Sequence, residues 1–505
     1  MRFNSLPVVL CLLFLVHSAL AQTTVSTIEG TIKDAQGSAV AGAQIVVKSP
    51  AIGLERTVTS DAEGFYRVTA LPAGIYSINV SHTGFAARTF DNIELTLNRT
   101  LTLDIPLEVG AVQEQVDVVE NAQLLTPTTP STGATITPLQ IREMPTNGRN
   151  YLDLLQLVPG VVINRRADVG SDNATPVLGE RSGNNNFFID GQPNKDTVMG
   201  GAASQFTQET IAEFQVLTAG FRAEFGQASG AIVNVITKSG GNDYHGIASI
   251  FFRNNVFDTS NNPNGTDVPF LQRWDGSVAL GGPIVKDKVF FFGSGERIRE
   301  NRELDFIFPP GTPQIARDFE TQFNNPSRTF DTRGFFKFDE QLGRHNLSQS
   351  VNYTNGNVRE FLPLSNATAL PSRRNDTGAR HLLLAFSDTA LFGDQGNPWV
   401  LTLRGGYRGD TSETRPAHPE AGVGTSFNMF SSNNTGGLFG DLGSFQFGNS
   451  VTRTALDQKY TSLSANAAKL LGDHNLKFGW NFLRTKVDGI ESRILNLQLF
   501  ATVPD

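Results

Sequence analysis

From residue 246 onward the chain repeats a pattern that few folds can accommodate: long runs in which large apolar side chains alternate with polar ones. Trp399, Leu401, Leu403, Gly405 and Tyr407 alternate with Val400, Thr402, Arg404, Gly406 and Arg408. Leu476, Phe478, Trp480 and Phe482 alternate with Lys477, Gly479, Asn481 and Leu483, and Leu347, Val351 and Tyr353 with Ser348, Ser350 and Asn352. A period of two belongs to a β-strand, whose successive side chains point to opposite faces. One face here suits lipid and the other a watery lumen, over the roughly 9–11 residues a tilted strand needs to cross a bilayer. A soluble sandwich alternates too, but its outward face should carry charge in place of Trp, Phe and Leu.

The connections support the membrane reading. Val285-Lys286-Asp287-Lys288, Gly343-Arg344-His345-Asn346 and Gly472-Asp473-His474-Asn475 are short turns, whereas Asn301 to Arg328 and Glu413 to Ser450 are long and polar. Short turns on one side and long loops on the other are the asymmetry of an outer-membrane barrel. Roughly ten to twelve strands are expected between Gly246 and Asp505.

Met1 to Ala21 explains how such a chain leaves the cytoplasm. Arg2 precedes an apolar run from Leu6 to Val16, and Ala19-Leu20-Ala21 stands before Gln22, which predicts a secretory signal peptide cleaved between Ala21 and Gln22. The run is too short for a membrane-spanning helix. The single cysteine, Cys11, lies inside it, so the exported chain has no thiol chemistry. No apolar run of about 18 residues follows, so any crossing is by strands in a closed sheet, the other structure that satisfies backbone polar groups in lipid.

Several function classes drop out. A net charge of −8 without a Lys/Arg cluster offers no basic face for nucleic acid. His82, His245, His345, His381, His418 and His474 are scattered without ligand spacing, so no metal site is expected. No phosphate loop, nucleophile elbow or dinucleotide fingerprint is present. Glu213 and Glu224 fall on different predicted elements with no reason to converge as an acid–base pair. Neither an enzyme nor a cofactor is expected.

Thr27 to Leu107 reads as a compact all-β module. Turns are signalled at Asp34-Ala35-Gln36-Gly37, Asp61-Ala62-Glu63-Gly64 and Leu71-Pro72-Ala73-Gly74, between strands such as Tyr76-Ile78-Val80 and Leu101-Leu103-Ile105-Leu107. The positions Gly30, Gly42, Asp61, Gly64, Phe65, Tyr66, Leu71, Pro72, Gly74 and Tyr76 resemble the carboxypeptidase regulatory-like domain, which implies a prealbumin-like sandwich, sometimes grouped with carbohydrate-binding folds. The zinc-binding pairs of a peptidase are missing, so peptidase activity does not follow.

Residues 108–137 form a polar connector with one strand-like run, Val112 to Val119, followed by a Thr- and Pro-rich extended linker. That run either is captured by a partner's sheet edge or completes a neighbouring sheet of its own chain. Between Leu139 and Val162 the period changes: Tyr151, Leu154, Leu155 and Val158 share a helical face, Asn147 or Asn150 can cap it, and Pro159-Gly160 ends it. From Glu180 to Gly246 short apolar runs return, separated by Gly, Asn and Asp, with Phe187 to Asp190, Ile211 to Leu217 and Ala231 to Thr237 as strands.

Pro145, Asn147, Gly148, Arg149, Pro159, Gly160, Asp190, Gly191, Glu213, Phe214, Glu224, Gly226, Gly230, Asn234, Lys238, Ser239, Gly240 and Gly246 together resemble the plug of a TonB-dependent outer-membrane receptor. The resemblance is narrower still to the Oar-like branch, which also carries the regulatory-like module. It implies a bacterial outer-membrane location, a plug over 138–241 and a barrel over 246–505. Asn147, Gly148, Arg149, Asp190, Gly191, Gly226, Gly230, Lys238 and Gly240 would then be turn and structural positions of the plug. It also implies a TonB-type energy-transducing partner that pulls a short box before the plug, here Val112, Val116, Asp117, Val118 and Val119. This run departs from the usual box pattern.

The fold expected is mainly β: a small prealbumin-like sandwich, an α/β plug, then an antiparallel transmembrane barrel in contact with outer-membrane lipid. A plug of about a hundred residues belongs in a barrel of about 22 strands, so this chain is expected to be the amino-terminal part of a longer receptor or a truncated product. Function divides into two expectations. One is a plug-gated transporter for an unidentified extracellular ligand, such as a carbohydrate or an oligomeric nutrient; the other is a surface carbohydrate-binding or adhesion protein displayed on a barrel.

Overall fold

The computed structural model describes residues 26–503 except 97–98, 111–115, 118–131, 145, 147–148, 163–176, 199, 222–227, 260–267, 269, 304–313, 362–370, 394–396, 422–424, 432–443, 448–450, 472–473 and 494–496. The signal peptide with Ala21 and Gln22, the positions Val112, Val118 and Val119, and Asn147, Gly148 and Gly226 lie outside the described residues.

The first module is a two-sheet sandwich. β1 (Ser26–Asp34) lies between β4 (Phe65–Leu71) and the parallel β7 (Thr100–Thr102), and also pairs with β8 (Ile105–Leu107). The facing sheet runs in the order β3 (Leu54–Thr59), β2 (Gln44–Ser49), β5 (Gly74–Ser81), β6 (Arg88–Leu95), β9 (Val116–Asp117). The period of two in β5 buries Tyr76, Ile78 and Val80 against Ile28, Ile32, Ile45, Val47 and Tyr66. Burying each such side chain is worth roughly 1.5–3 kcal/mol. Both buried tyrosines keep a partner for the hydroxyl: Tyr66 donates to the Leu103 carbonyl at 2.8 Å and Tyr76 to that of Pro72 at 2.7 Å. Val116 and Asp117 pair in parallel with Arg88 and Thr89 on the edge of β6, so this part of the run completes a sheet of its own chain.

The middle of the chain forms a five-stranded sheet. Its order is β10 (Thr132–Ile136), β13 (Ile211–Ala219), β14 (Ile232–Thr237), β11 (Asn186–Ile189), β12 (Gln192–Pro193). β11 and β14 are parallel and the other pairs antiparallel. β10 arises from sequence that reads as linker, because Thr132-Gly133-Ala134-Thr135 has too little apolar character to announce a strand. A short helix, α1 (Pro138–Glu143), follows it, closed by a capping box in which Thr137 and Gln140 bond each other's backbone amides. The helical face over Tyr151 to Val158 takes the tighter 3-10 form at Tyr151–Leu157, capped by Asn150, and buries Tyr151, Leu152, Leu154 and Leu155. Buried residues at i and i+3 suit three residues per turn.

The last part is a nine-stranded antiparallel sheet. Its strands in spatial order are β15 (His245–Asn254), β16 (Leu271–Val285), β17 (Val289–Arg302), β18 (Ser327–Leu342), β19 (His345–Phe361), β20 (Asn375–Phe392), β21 (Trp399–Pro416), β24 (Val451–Leu471) and β25 (His474–Arg493). β22 (Thr425–Ser431), β23 (Ser444–Phe447) and β26 (Leu497–Val503) form a separate small sheet. Among the described residues nothing closes the large sheet, and β15 and β25 are its edges. The alternation behaves as expected: Val400, Thr402, Arg404 and Arg408 are buried on the concave side, while Trp399 and Tyr407 are exposed on the other. Trp274, Val278, Leu280, Phe336, Tyr353, Leu463, Phe478 and Trp480 extend this outward apolar surface.

Candidate functional site

The concave side of the wall is organised in rungs. Strand register places Ser277, Glu296, Arg333, Thr354, His381, Asp410 and Gln458 side by side across seven strands. Polar side chains at such a level would be solvated in an empty lumen. Here Ser277, Glu296, Thr354, Asp410 and Gln458 are buried, because the middle sheet and its loops sit against them. Arg333 donates to the Phe206 carbonyl at 3.3 Å and Thr354 to that of Gln205 at 3.2 Å. Gln458 meets the tip of the loop after β12: it accepts from Thr197 Oγ1 at 2.8 Å and donates to Asp196 at 3.2 Å.

One and two rungs nearer the short turns, three contacts pin the sheet itself. Thr210 and Ser294 hydroxyls are 2.6 Å apart. Lys337 Nζ donates to Thr237 Oγ1 at 3.1 Å and lies 3.7 Å from Asp190. Gln192 donates to the Gly405 carbonyl at 3.1 Å and accepts from Ser462 Oγ at 2.8 Å. Arg408, 1% exposed at its side chain, reaches the Lys195 carbonyl at 2.7 Å and the Pro193 carbonyl at 3.4 Å while paired to Asp410 at 2.7 Å.

The sequence-selected positions divide accordingly. Asp190 and Gly191 form the β11–β12 hairpin, both at positive φ (47° and 77°), and Asp190 accepts from the Thr237 amide at 3.0 Å and its hydroxyl at 2.6 Å. Gly240 is packed against wall backbone, where a Cβ would come 2.3 Å from the Phe291 carbonyl oxygen. A Cβ on Gly230 would lie 2.3 Å from Asn185 Oδ1. Lys238 is held by its amide to the Thr210 carbonyl at 2.7 Å; burial pulls its ammonium below the usual lysine range, with Glu209 opposing the shift.

Arg149 is the most connected of them. It pairs with Glu209, donates to Ser277 Oγ of the wall at 3.3 Å, and stacks 4.1 Å over the Phe251 ring of β15. Burial pushes the Glu209 carboxyl up, but the hydrogen bonds from Arg149 and Thr207 outweigh it and hold it below its ordinary value. Sequence reasoning missed Glu209, Gln192, Gln205 and the wall residues Arg333, Lys337 and Arg408. A signal did exist for three of these: Arg333 and Lys337, like Arg404 and Arg408, sit four apart at inward positions of one strand, where an occupied lumen buries them.

A sheet wedged against the polar concave face of an antiparallel wall with an aromatic outer face defines an outer-membrane protein of the plug-and-barrel class. The comparisons agree domain by domain. Residues 27–108 match the carboxypeptidase regulatory-like domain, 127–233 the TonB-dependent receptor plug domain, and 236–314 an outer membrane beta-barrel domain. The chain is similar to the TonB-dependent transporter Oar of Myxococcus xanthus, 28% identical over 330 residues that cover 61% of this chain and 30% of the relative. Its fold is similar to that of the outer membrane transporter YddB from Escherichia coli, with a TM-score of 0.53 at 13% identity, covering 73% of this chain and 50% of the other. The chain thus spans about a third of the curated relative's length and half that of the solved transporter.

Proposed function

We propose that the protein works as a plug-gated transporter of the outer membrane, admitting an extracellular ligand when a periplasmic TonB-type partner pulls on the segment before the plug. The observation that carries this reading is the seating of the β11–β12 hairpin and the β14 end on Lys337, Gly405 and Ser462. The seat combines separate polar bonds, each worth about 1 kcal/mol net, with apolar contacts in which Phe292, Phe335 and Leu383 of the wall join the core of the sheet, so a pulling force can break the polar bonds in turn. The pulled segment is 112–119, whose described part, Val116–Asp117, rests on the edge of β6. A two-residue parallel pairing is a weak hold, which suits a strand exchanged for a partner's edge.

The test is deletion of residues 112–119 in the full protein. Capture of a TonB-type periplasmic domain and ligand uptake should both be lost while the protein still reaches the outer membrane. Unchanged uptake in the deletion would sink the transporter reading and leave surface display as the function.

A further inference from the structure

The sandwich is docked on the wall. The β2–β3 turn lies under the short turns of the barrel strands: the Ala51 carbonyl accepts from the Asn242 amide at 2.6 Å, and the Ile52 carbonyl from Gln341 at 3.2 Å. Asn242 also donates to Asp287 of the β16–β17 turn and to the Pro50 carbonyl at 3.1 Å. Beside this contact a cleft of about 290 Å³ opens between the free edges of β3 and β4 and the wall residues Gly343, Arg344, Leu391, Gly393 and Pro398.

Its lining is unusual for a seam between domains. Arg56 occupies an inward position of β3, between the buried Leu54 and Val58, where an apolar side chain is the ordinary choice. Its Nε is buried with no hydrogen-bond partner, and Nη1 reaches only the neighbouring Glu55 carbonyl at 3.2 Å. Burial lowers the pKa of this guanidinium, the cost of holding the charge there. Arg344, on the β18–β19 turn, lines the same cleft, and among the described residues neither arginine makes an ion pair. The remaining charges are spoken for: Arg67 pairs with Glu29 at 2.5 Å, and Glu55 with Lys48 at 3.1 Å.

The cleft's level in the membrane identifies what could satisfy two guanidinium groups that make no ion pair among the described residues. Leu391, Gly393 and Pro398 of its wall flank Phe392 and Trp399, which pair across β20 and β21 and are both exposed on the outer face. Lys469 stands 5.8 Å over the Trp399 ring. Aromatic residues with a neighbouring lysine mark the border between hydrocarbon and headgroups. Guanidinium groups match phosphate oxygens bidentately.

We propose that this cleft binds a phosphate group, held between Arg56 and Arg344 and supplied by a phospholipid of the periplasmic leaflet or by free phosphate. Occupancy ties the regulatory-like domain to the wall, so the domain is anchored beneath the barrel instead of swinging on its linker.

The experiment uses the full chain extracted in mild detergent, with native mass spectrometry after incubation with phosphatidylglycerol, and phosphorus NMR of inorganic phosphate in a lipid-free sample. Wild type should retain one phosphatidylglycerol, and Arg344→Gln and Arg56→Met should each weaken retention about tenfold. Arg344 lies on an exposed turn, so its variant tests the idea without risk to folding. Broadening of the inorganic phosphate signal by wild type and not by Arg344→Gln, without lipid retention, assigns the site to free phosphate. Equal lipid retention and equal phosphate spectra in wild type and both variants overturn the proposal.

Discussion

Gly191 lies directly against Arg404: a Cβ built on the glycine would fall 1.9 Å from the guanidinium Nη1. The glycine also sits at φ +77°, so the turn favours glycine there, and any side chain would push the guanidinium aside. Gly191→Ala should therefore loosen the hairpin from the wall at a cost of about 1–3 kcal/mol. Limited proteolysis reads this directly, through faster cleavage in the plug while the wall stays protected. Unaltered plug protection would show that the seat is softer than its geometry.

Arg149 and Glu209 give a second handle on the same contact. Removing Arg149 strands a buried carboxylate and costs about 3 kcal/mol, so Arg149→Ala should raise hydrogen exchange in β13 and α1. The pair also sets a pH dependence. The folded Glu209 carboxyl lies below its ordinary value of 4.5, so its contribution is present above that pH and is lost as the pH falls through the folded value. Exchange in β13 should rise on acidification below about pH 4.5, and Glu209→Gln should flatten that rise.

The lipid face can be read from fluorescence alone. The chain has three tryptophans, and Trp274, Trp399 and Trp480 all project from the outer face with exposures of 49%, 38% and 59%. Brominated lipids should quench nearly all of the emission after reconstitution, and aqueous iodide should quench little. Trp480→Arg, near the middle of β25, should cost about 2–4 kcal/mol of membrane stability.

Sequence disclosed the wall and the sandwich more fully than the seat. Alternation in β21 placed Trp399 and Arg404 on opposite faces because strand geometry leaves no other choice once one face meets lipid. Turn chemistry likewise set the sandwich, where Asp61 Oδ1 accepts from the Phe65 amide at 2.7 Å as its position before Gly64 suggests. The seat was not legible for a physical reason. Lys337 and Gln192 are 145 positions apart, and which lumen residue meets which plug residue depends on how deeply the sheet is inserted. No local pattern records that depth. β10 was hidden differently, since its polar residues acquire strand form only from pairing with β13.

The long-loop side carries a prediction of its own. α2 (Gln314–Thr321) presents Glu320, 0% exposed, to the turn at Pro371–Arg373, where it accepts from the Ser372 amide at 2.8 Å and hydroxyl at 2.7 Å. Arg374, equally buried, donates to Asn324 Oδ1 at 3.0 Å and to the Asn325 carbonyl. His418 packs its ring 4.8 Å from Phe323 and contacts Glu360 at 2.9 Å, so three loops meet in one clasp. Burial raises the Glu320 carboxyl above its ordinary range, and the Ser372 bonds and the fields of His418 and Arg374 oppose the shift only in part. Glu320→Ala removes both of its bonds to Ser372, at a cost of roughly 1–3 kcal/mol. Hydrogen exchange over 314–321 and 371–374 should then rise together, with β18 and β20 unchanged below the loops. If only 371–374 responds, the loops are held independently and the clasp does not act as one unit.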